Sequence, residues 1–81
     1  EMVPEGHMLF IHNVDRPGVI GMVGKVLGDN NINILRMQCA LEKRGGNALL
    51  IIGSDQTFPS AVLDLIKSSS NILSVKVAVL S

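Results

Sequence analysis

Three hydrophobic rhythms share this chain, and the points where one gives way to another outline six elements. His7-Met-Leu-Phe-Ile-His12 is a short, nearly continuous apolar run, the pattern of a strand covered on both faces or central in a sheet. It ends at Asn13-Val-Asp-Arg-Pro-Gly18, a turn cluster whose Pro17 stands where a helix can begin. Asp15 or Arg16 then falls near the N-cap, and Asp15 is the better capper. Val19, Ile20, Val23, Val26 and Leu27 recur at helical spacing as one apolar stripe, and Asp29-Asn-Asn31 stops it.

Ile32 and Ile34, then Leu35, Met37, Cys39 and Leu41, alternate with polar neighbours. The phase slips by one at Leu35, which predicts a bulge within a second strand. Lys43-Arg-Gly-Gly-Asn47 reads as a hairpin loop, and Ala48 to Ile52 is a second continuous apolar run. Thr57-Phe-Pro59 opens a short helix with Val62, Leu63 and Ile66 inward, broken by Ser68-Ser-Ser-Asn71. Leu73, Val75, Val77 and Val79 alternate as a half-buried edge strand. The order β-α-β-β-α-β predicts an α+β, ferredoxin-like sandwich: a four-stranded antiparallel sheet with both helices on one face. The continuous runs suit its centre and the alternating runs its edges.

Composition adds a tension. The 81 residues allow one domain, and a domain of this size hides only about 60% of its unfolded surface. Yet 47% of the residues are apolar at a formal net charge of zero. The surplus predicts surface buried against another chain. Seven basic and seven acidic residues argue against a nucleic-acid or anionic-membrane surface. The single Cys allows no internal disulfide and suits a reducing, cytoplasmic setting. The apolar runs are far shorter than the ~20 residues that span a bilayer. The chain starts on Glu1, so residues 1–6 are expected to be linker or remnant, with the domain proper over 7–81.

Most motifs dissolve on inspection. Gly18, Gly21, Gly24 and Gly28 follow neither a dinucleotide-binding nor a phosphate-loop spacing. Gly21, Gly24 and Gly28 project within about 60° of each other, opposite the apolar stripe. They form either a smooth strip for a neighbouring backbone or a tolerant exposed face. Met37-Gln-Cys39 lacks the second Cys of a soft-metal site and reads as a strand with a buried thiol. His7 and His12 have no partner at ligand spacing, so no metal is expected. The central strands carry one aromatic, Phe10, too few to stack RNA bases. No nucleophile–base arrangement is visible, and no catalytic residue is expected.

One cluster remains where the first strand hands over to the first helix. The amides of Gly18, Val19 and Ile20 and the positive end of the helix dipole favour a carboxylate. Asp15 offers a countercharge for an ammonium, and Asn13 can donate or accept. Together they complement a zwitterion such as a free amino acid. The competing reading is plain N-capping by Asp15.

Asn13-Val-Asp-Arg-Pro-Gly-Val-Ile-Gly21, with Asn31-Ile-Asn-Ile34 beyond it, resembles the ACT domain, a small amino-acid-binding regulatory module, over His7 to Leu80. It is most similar to the ACT domains at the C-terminus of D-3-phosphoglycerate dehydrogenases; Val3-Pro-Glu-Gly-His7 resembles the lead-in to them. Those of iron–sulfur L-serine dehydratases are the second possibility, and a dimerisation module without a ligand the third. The first resemblance implies L-serine as ligand, feedback inhibition of serine biosynthesis, no cofactor in this domain, and NAD in the parent enzyme. It also implies Asn13, Asp15 and Asn33 as serine-contacting positions, Asn13 being the position that varies among relatives. It further implies a homodimer through side-by-side sheets and first helices, with Asn33 reaching the ligand from the neighbouring chain.

Overall fold

The computed structural model describes residues 6–42 and 46–80. The elements are β1 (Gly6–Val14), α1 (Val19–Asp29), β2 (Arg36–Leu41), β3 (Asn47–Ser54), α2 (Ser60–Lys67) and β4 (Ile72–Leu80). One sheet runs in the order β2-β3-β1-β4, and each neighbouring pair is antiparallel. The predicted βαββαβ order and sheet are therefore observed, with the continuous apolar runs at the centre and the alternating ones at the edges. The 1–6 linker, the Val3–His7 lead-in and the tip of the Lys43–Asn47 hairpin fall largely outside the described residues.

Alternation explains the packing. Leu9 and Ile11 of β1 stand opposite Ile52 and Leu50 of β3, and all four are fully or nearly fully buried. They form one core with Val19, Val23 and Leu27 of α1, Val62 and Ile66 of α2, and Ile32. α2 contacts β4 and α1 contacts α2, which leaves α1 on the β2 side of the sheet. The opposite face of the sheet has no helix. Phe10, Leu49 and Ile51 are half-buried there, whereas Met8 is buried because it lies across the bare Cα of Gly53. On that face the His12 ring meets the Glu42 carboxylate at 2.9 Å.

Several expectations change. β2 starts at Arg36, not Ile32, and pairs with β3 in unbroken register. The phase slip at Leu35 therefore marks the end of an approach segment, not a bulge. The register shift in the sheet lies between β1 and β4, where His12 faces Ser74 and Asn13 faces Ile72. Leu73 is the extra residue and is half exposed. Cys39 is exposed, not buried, because two helices leave β2 uncovered. Ile20, expected in the buried stripe, is 49% exposed, and Met22 packs on the core in its place. On β4, Val77 and Val79 are largely exposed, leaving Ile72 and Val75 to pack inward.

Leu50→Ala should lower the free energy of unfolding by about 2–5 kcal/mol, since it opens a cavity that the two helices cannot fill. Val79→Ser on the exposed edge should change it by less than about 0.5 kcal/mol. Urea titration followed by circular dichroism reads both.

Candidate functional site

The end of β1 is held from both sides. Val14 N–H donates to the Asn71 carbonyl at 2.8 Å, and Asp15 N–H donates to the Gly46 carbonyl at 2.9 Å. Asn13, one position earlier, shares the helix-facing side of β1 with Leu9 and Ile11 and is only 5% exposed. Its Nδ2 donates to the Val14 carbonyl at 3.0 Å. Its Oδ1 is buried with no hydrogen-bond partner. A buried acceptor left unpaired costs about 1–3 kcal/mol. Such an atom is a place where a donor is missing.

The chain then turns through Asp15-Arg-Pro-Gly18 into α1. The N-cap is Gly18, in the left-handed region at φ 90°, and no side chain caps the helix. This corrects the placement of Asp15 or Arg16 at the cap: Pro17 directly precedes the Gly18 cap, and the Asp15 side chain makes no bond to the first turn. The conformation explains the residue, because an L side chain at Gly18 is strained although nothing stands within 4 Å of its missing Cβ. The first intrahelical bond runs from Met22 N–H to the Gly18 carbonyl at 2.9 Å, and Val19 N–H reaches the Arg16 carbonyl at 3.4 Å. No acidic side chain lies in the first turn. The dipole end of α1 is thus uncompensated, and Val19 is buried while Gly18 and Ile20 are exposed. Asp15 is exposed, and its carboxylate has no hydrogen-bond or ion-pair partner among the described residues.

Asn13, Asp15, Gly18, Val19 and Ile20 therefore sit on one strand-to-helix handover. Asn33 does not join them. Its carbonyl accepts from Ser54 Oγ at 2.7 Å, and Ser54 pairs with His7 at the far end of β1. The six positions from His7 to Asn13 put Asn33 about 20 Å from Asn13, at ~3.3 Å per strand residue. Within one chain the two asparagines belong to opposite ends of the sheet.

A cleft of about 360 Å³ opens at the Asn33 end, lined by Gly6, Leu35, Arg36, Gly53, Ser54, Asp55 and Leu80. Sequence reasoning missed Ser54 and Gln56 at this end. Gln56 donates from Nε2 to the Asn31 carbonyl at 3.0 Å, and its Oε1 accepts from Asn33 N–H at 2.8 Å. Nothing in the local pattern Ser54-Asp-Gln56 announces contacts more than twenty residues away. No group of three or more metal-ligating side chains occurs among the described residues. No helix among them is long and apolar enough to cross a membrane.

Comparison with known proteins matches the sequence model of the ACT domain to residues 7–69. Among curated proteins, the chain is 37% identical over 76 residues to D-3-phosphoglycerate dehydrogenase of Bacillus subtilis, covering 94% of this chain and 14% of the relative. It is 41% identical over 75 residues to that of Methanocaldococcus jannaschii, covering 93% of this chain and 14% of the relative. The chain thus spans about one-seventh of these relatives' length. Among solved structures it is similar to the ACT domain of a GTP pyrophosphokinase from Chlorobium tepidum. The TM-score is 0.71, with coverage of 91% and 97% of the two chains and 12% identity. That likeness is one of fold.

Because Asn13 Oδ1 is unpaired and sealed from water, Asn13→Leu should leave the ligand-free chain as stable as before or up to about 2 kcal/mol more stable. A loss in urea denaturation well beyond the roughly 0.5–1.5 kcal/mol that the forfeited Nδ2 bond to the Val14 carbonyl can account for would show that the orphaned oxygen is satisfied in solution.

Proposed function

From the premise that the chain belongs to the ACT domain family, we propose that it is a regulatory domain that binds a free amino acid, L-serine, and has no catalytic residues of its own. The observation that carries this reading is the buried, partnerless Oδ1 of Asn13 beside the uncapped end of α1. An ammonium supplies the donor that Oδ1 lacks, and the exposed Asp15 carboxylate supplies its countercharge. The serine carboxylate lies at the amides of Gly18, Val19 and Ile20, where the dipole favours an anion. The similarity to D-3-phosphoglycerate dehydrogenases supports such an NAD-dependent enzyme as parent and feedback inhibition as the output, ahead of an iron–sulfur dehydratase.

A second chain completes the site in this reading. Asn33 lies at the wrong end of its own sheet to meet the ligand. Two chains joined through antiparallel β2 edges bring the Asn33 end of one toward the Asn13 end of the other. The flank on that side is suited to burial: Leu35, Met37 and Leu41 are 55%, 38% and 59% exposed. The Cβ positions of Gly21, Gly24 and Gly28 open onto empty space. Small residues there let two α1 helices approach closely. The ligand then acts by favouring one arrangement of the paired domains over another, and only its differential affinity for the two arrangements counts.

Isothermal titration should show L-serine binding to the chain, and Asp15→Asn should weaken it at least tenfold by removing the ammonium's countercharge. No heat with serine or other small amino acids, from a chain that sediments as a dimer, would leave the dimerisation module as the function.

Gly24→Ala separates the two uses of the glycine strip. It should stabilise the monomer by about 0.5–1 kcal/mol, the helix-propensity gain, and weaken self-association in sedimentation equilibrium. A gain in stability with unchanged association would mark the strip as an exposed face only.

A further inference from the structure

We propose that Gln56 is a positioning residue for the amino-acid site, acting through the backbone of Asn33, and that it sets ligand affinity although it lies outside the β1–α1 handover. The inference rests on the preceding reading that Asn33 meets the ligand across the pair of chains. It arises from the segment between α1 and β2. Residues 32–35 form no regular element, yet three backbone polar groups of residues 31–33 are held by side chains. The Gln56 carboxamide takes the place of an absent strand, with Nε2 on the Asn31 carbonyl at 3.0 Å and Oε1 on Asn33 N–H at 2.8 Å. Ser54 Oγ donates to the Asn33 carbonyl at 2.7 Å and accepts from Gln56 N–H at 3.2 Å. Both backbone groups of Asn33 are therefore fixed by partners on the far side of the sequence.

Packing supplies the rest of the geometry. Ile32 is buried and donates its N–H to the Leu27 carbonyl at 2.9 Å, and Ile34 packs against the core. Leu35 N–H donates to the Gly53 carbonyl at 2.9 Å. With Ile32 and Ile34 turned inward, Asn33 between them faces outward and is exposed. Asn31 enters the segment at φ 59°, a conformation that the Gln56 bond to its carbonyl helps to hold. Ile32 and Ile34 anchor the segment to the core, while the Gln56 carboxamide, with Ser54 Oγ, fixes the backbone of the outward-facing Asn33 between them before any ligand arrives. A residue ordered in advance binds without the loss of backbone freedom that a mobile one incurs.

The test is a double-mutant cycle on serine affinity with Gln56→Ala, Asn33→Ala and the pair. Gln56 is exposed, and Gln56→Ala should leave the dimer mass unchanged by sedimentation. It should weaken serine binding about tenfold, or about 1.4 kcal/mol, and do so far less in the Asn33→Ala background. Amide hydrogen exchange at Asn33 in the ligand-free chain should speed up in Gln56→Ala, which reads the clamp independently of serine. Unchanged exchange overturns the proposal, as does an affinity loss that persists undiminished without the Asn33 side chain. Failure of the unsubstituted chain to bind any amino acid overturns the serine reading and this one together. Serine binding that ignores Gln56→Ala overturns this one alone.

Discussion

Two helices laid on four strands cover the central pair well and the outer pair poorly, and much of this molecule follows from that mismatch in width. β3 and β1 receive α1 and α2 across their helix-facing side, so Leu9, Ile11, Leu50 and Ile52 can be large, aliphatic and dry. Of the edge strands, β2 is exposed throughout, and β4 is covered by α2 only along Ile72 and Val75. The apolar rows of β2 and β4 that point toward the helix layer stay exposed at Met37, Leu41, Val77 and Val79. Exposed apolar rows of this kind are suited to burial against further protein surface.

Polar groups divide in the same way between a completed end of the sheet and an incomplete one. Around Ser54 and Gln56, the Asn33 N–H and carbonyl, the Asn31 carbonyl and the buried Ser54 hydroxyl all have partners. Around Asn13, a buried amide uses one of its polar atoms and strands the other, beside a helix end with no side-chain cap. The bond from Nδ2 to the Val14 carbonyl gives Asn13 a part in the fold, but an apolar residue of similar volume would fill the space without an orphaned acceptor.

The fold was legible where a signal was periodic. The continuous runs from His7 and from Ala48 named the central strands, and the spacing of Val19, Val23 and Leu27 named the buried stripe of α1. Legibility failed where identity and environment came apart. Cys39 looks buried by residue type, but its strand has no cover, and that depends on how far two helices reach sideways. Ile32 and Ile34 carry strand spacing because both turn inward, yet the backbone of Asn33 between them is held by the side chains of Gln56 and Ser54, not by a strand. Asp15 has the chemistry of a cap, but Gly18 adopts φ 90° and takes that position itself. The handover around Asn13 was visible as a cluster of residue types. The separation of Asn33 from it was not, because it depends on strand register.

That gap has a thermodynamic consequence if the ligand bridges two chains. A site assembled from the Asn13 end of one copy and the Asn33 end of another exists only in the pair, so ligand affinity and pairing affinity cannot vary independently. Linkage requires each to strengthen the other by the same factor. A substitution that loosens pairing must then weaken apparent binding even when it touches no ligand, and ligand must raise the apparent stability of the pair by mass action. The glycines of α1 belong to this balance. In a helix interior each costs about 1 kcal/mol relative to alanine, a cost that close helix approach would offset only in a pair. A chain paired in this way would trade stability of the single copy for sensitivity of the pair, which is what the proposed regulatory role requires.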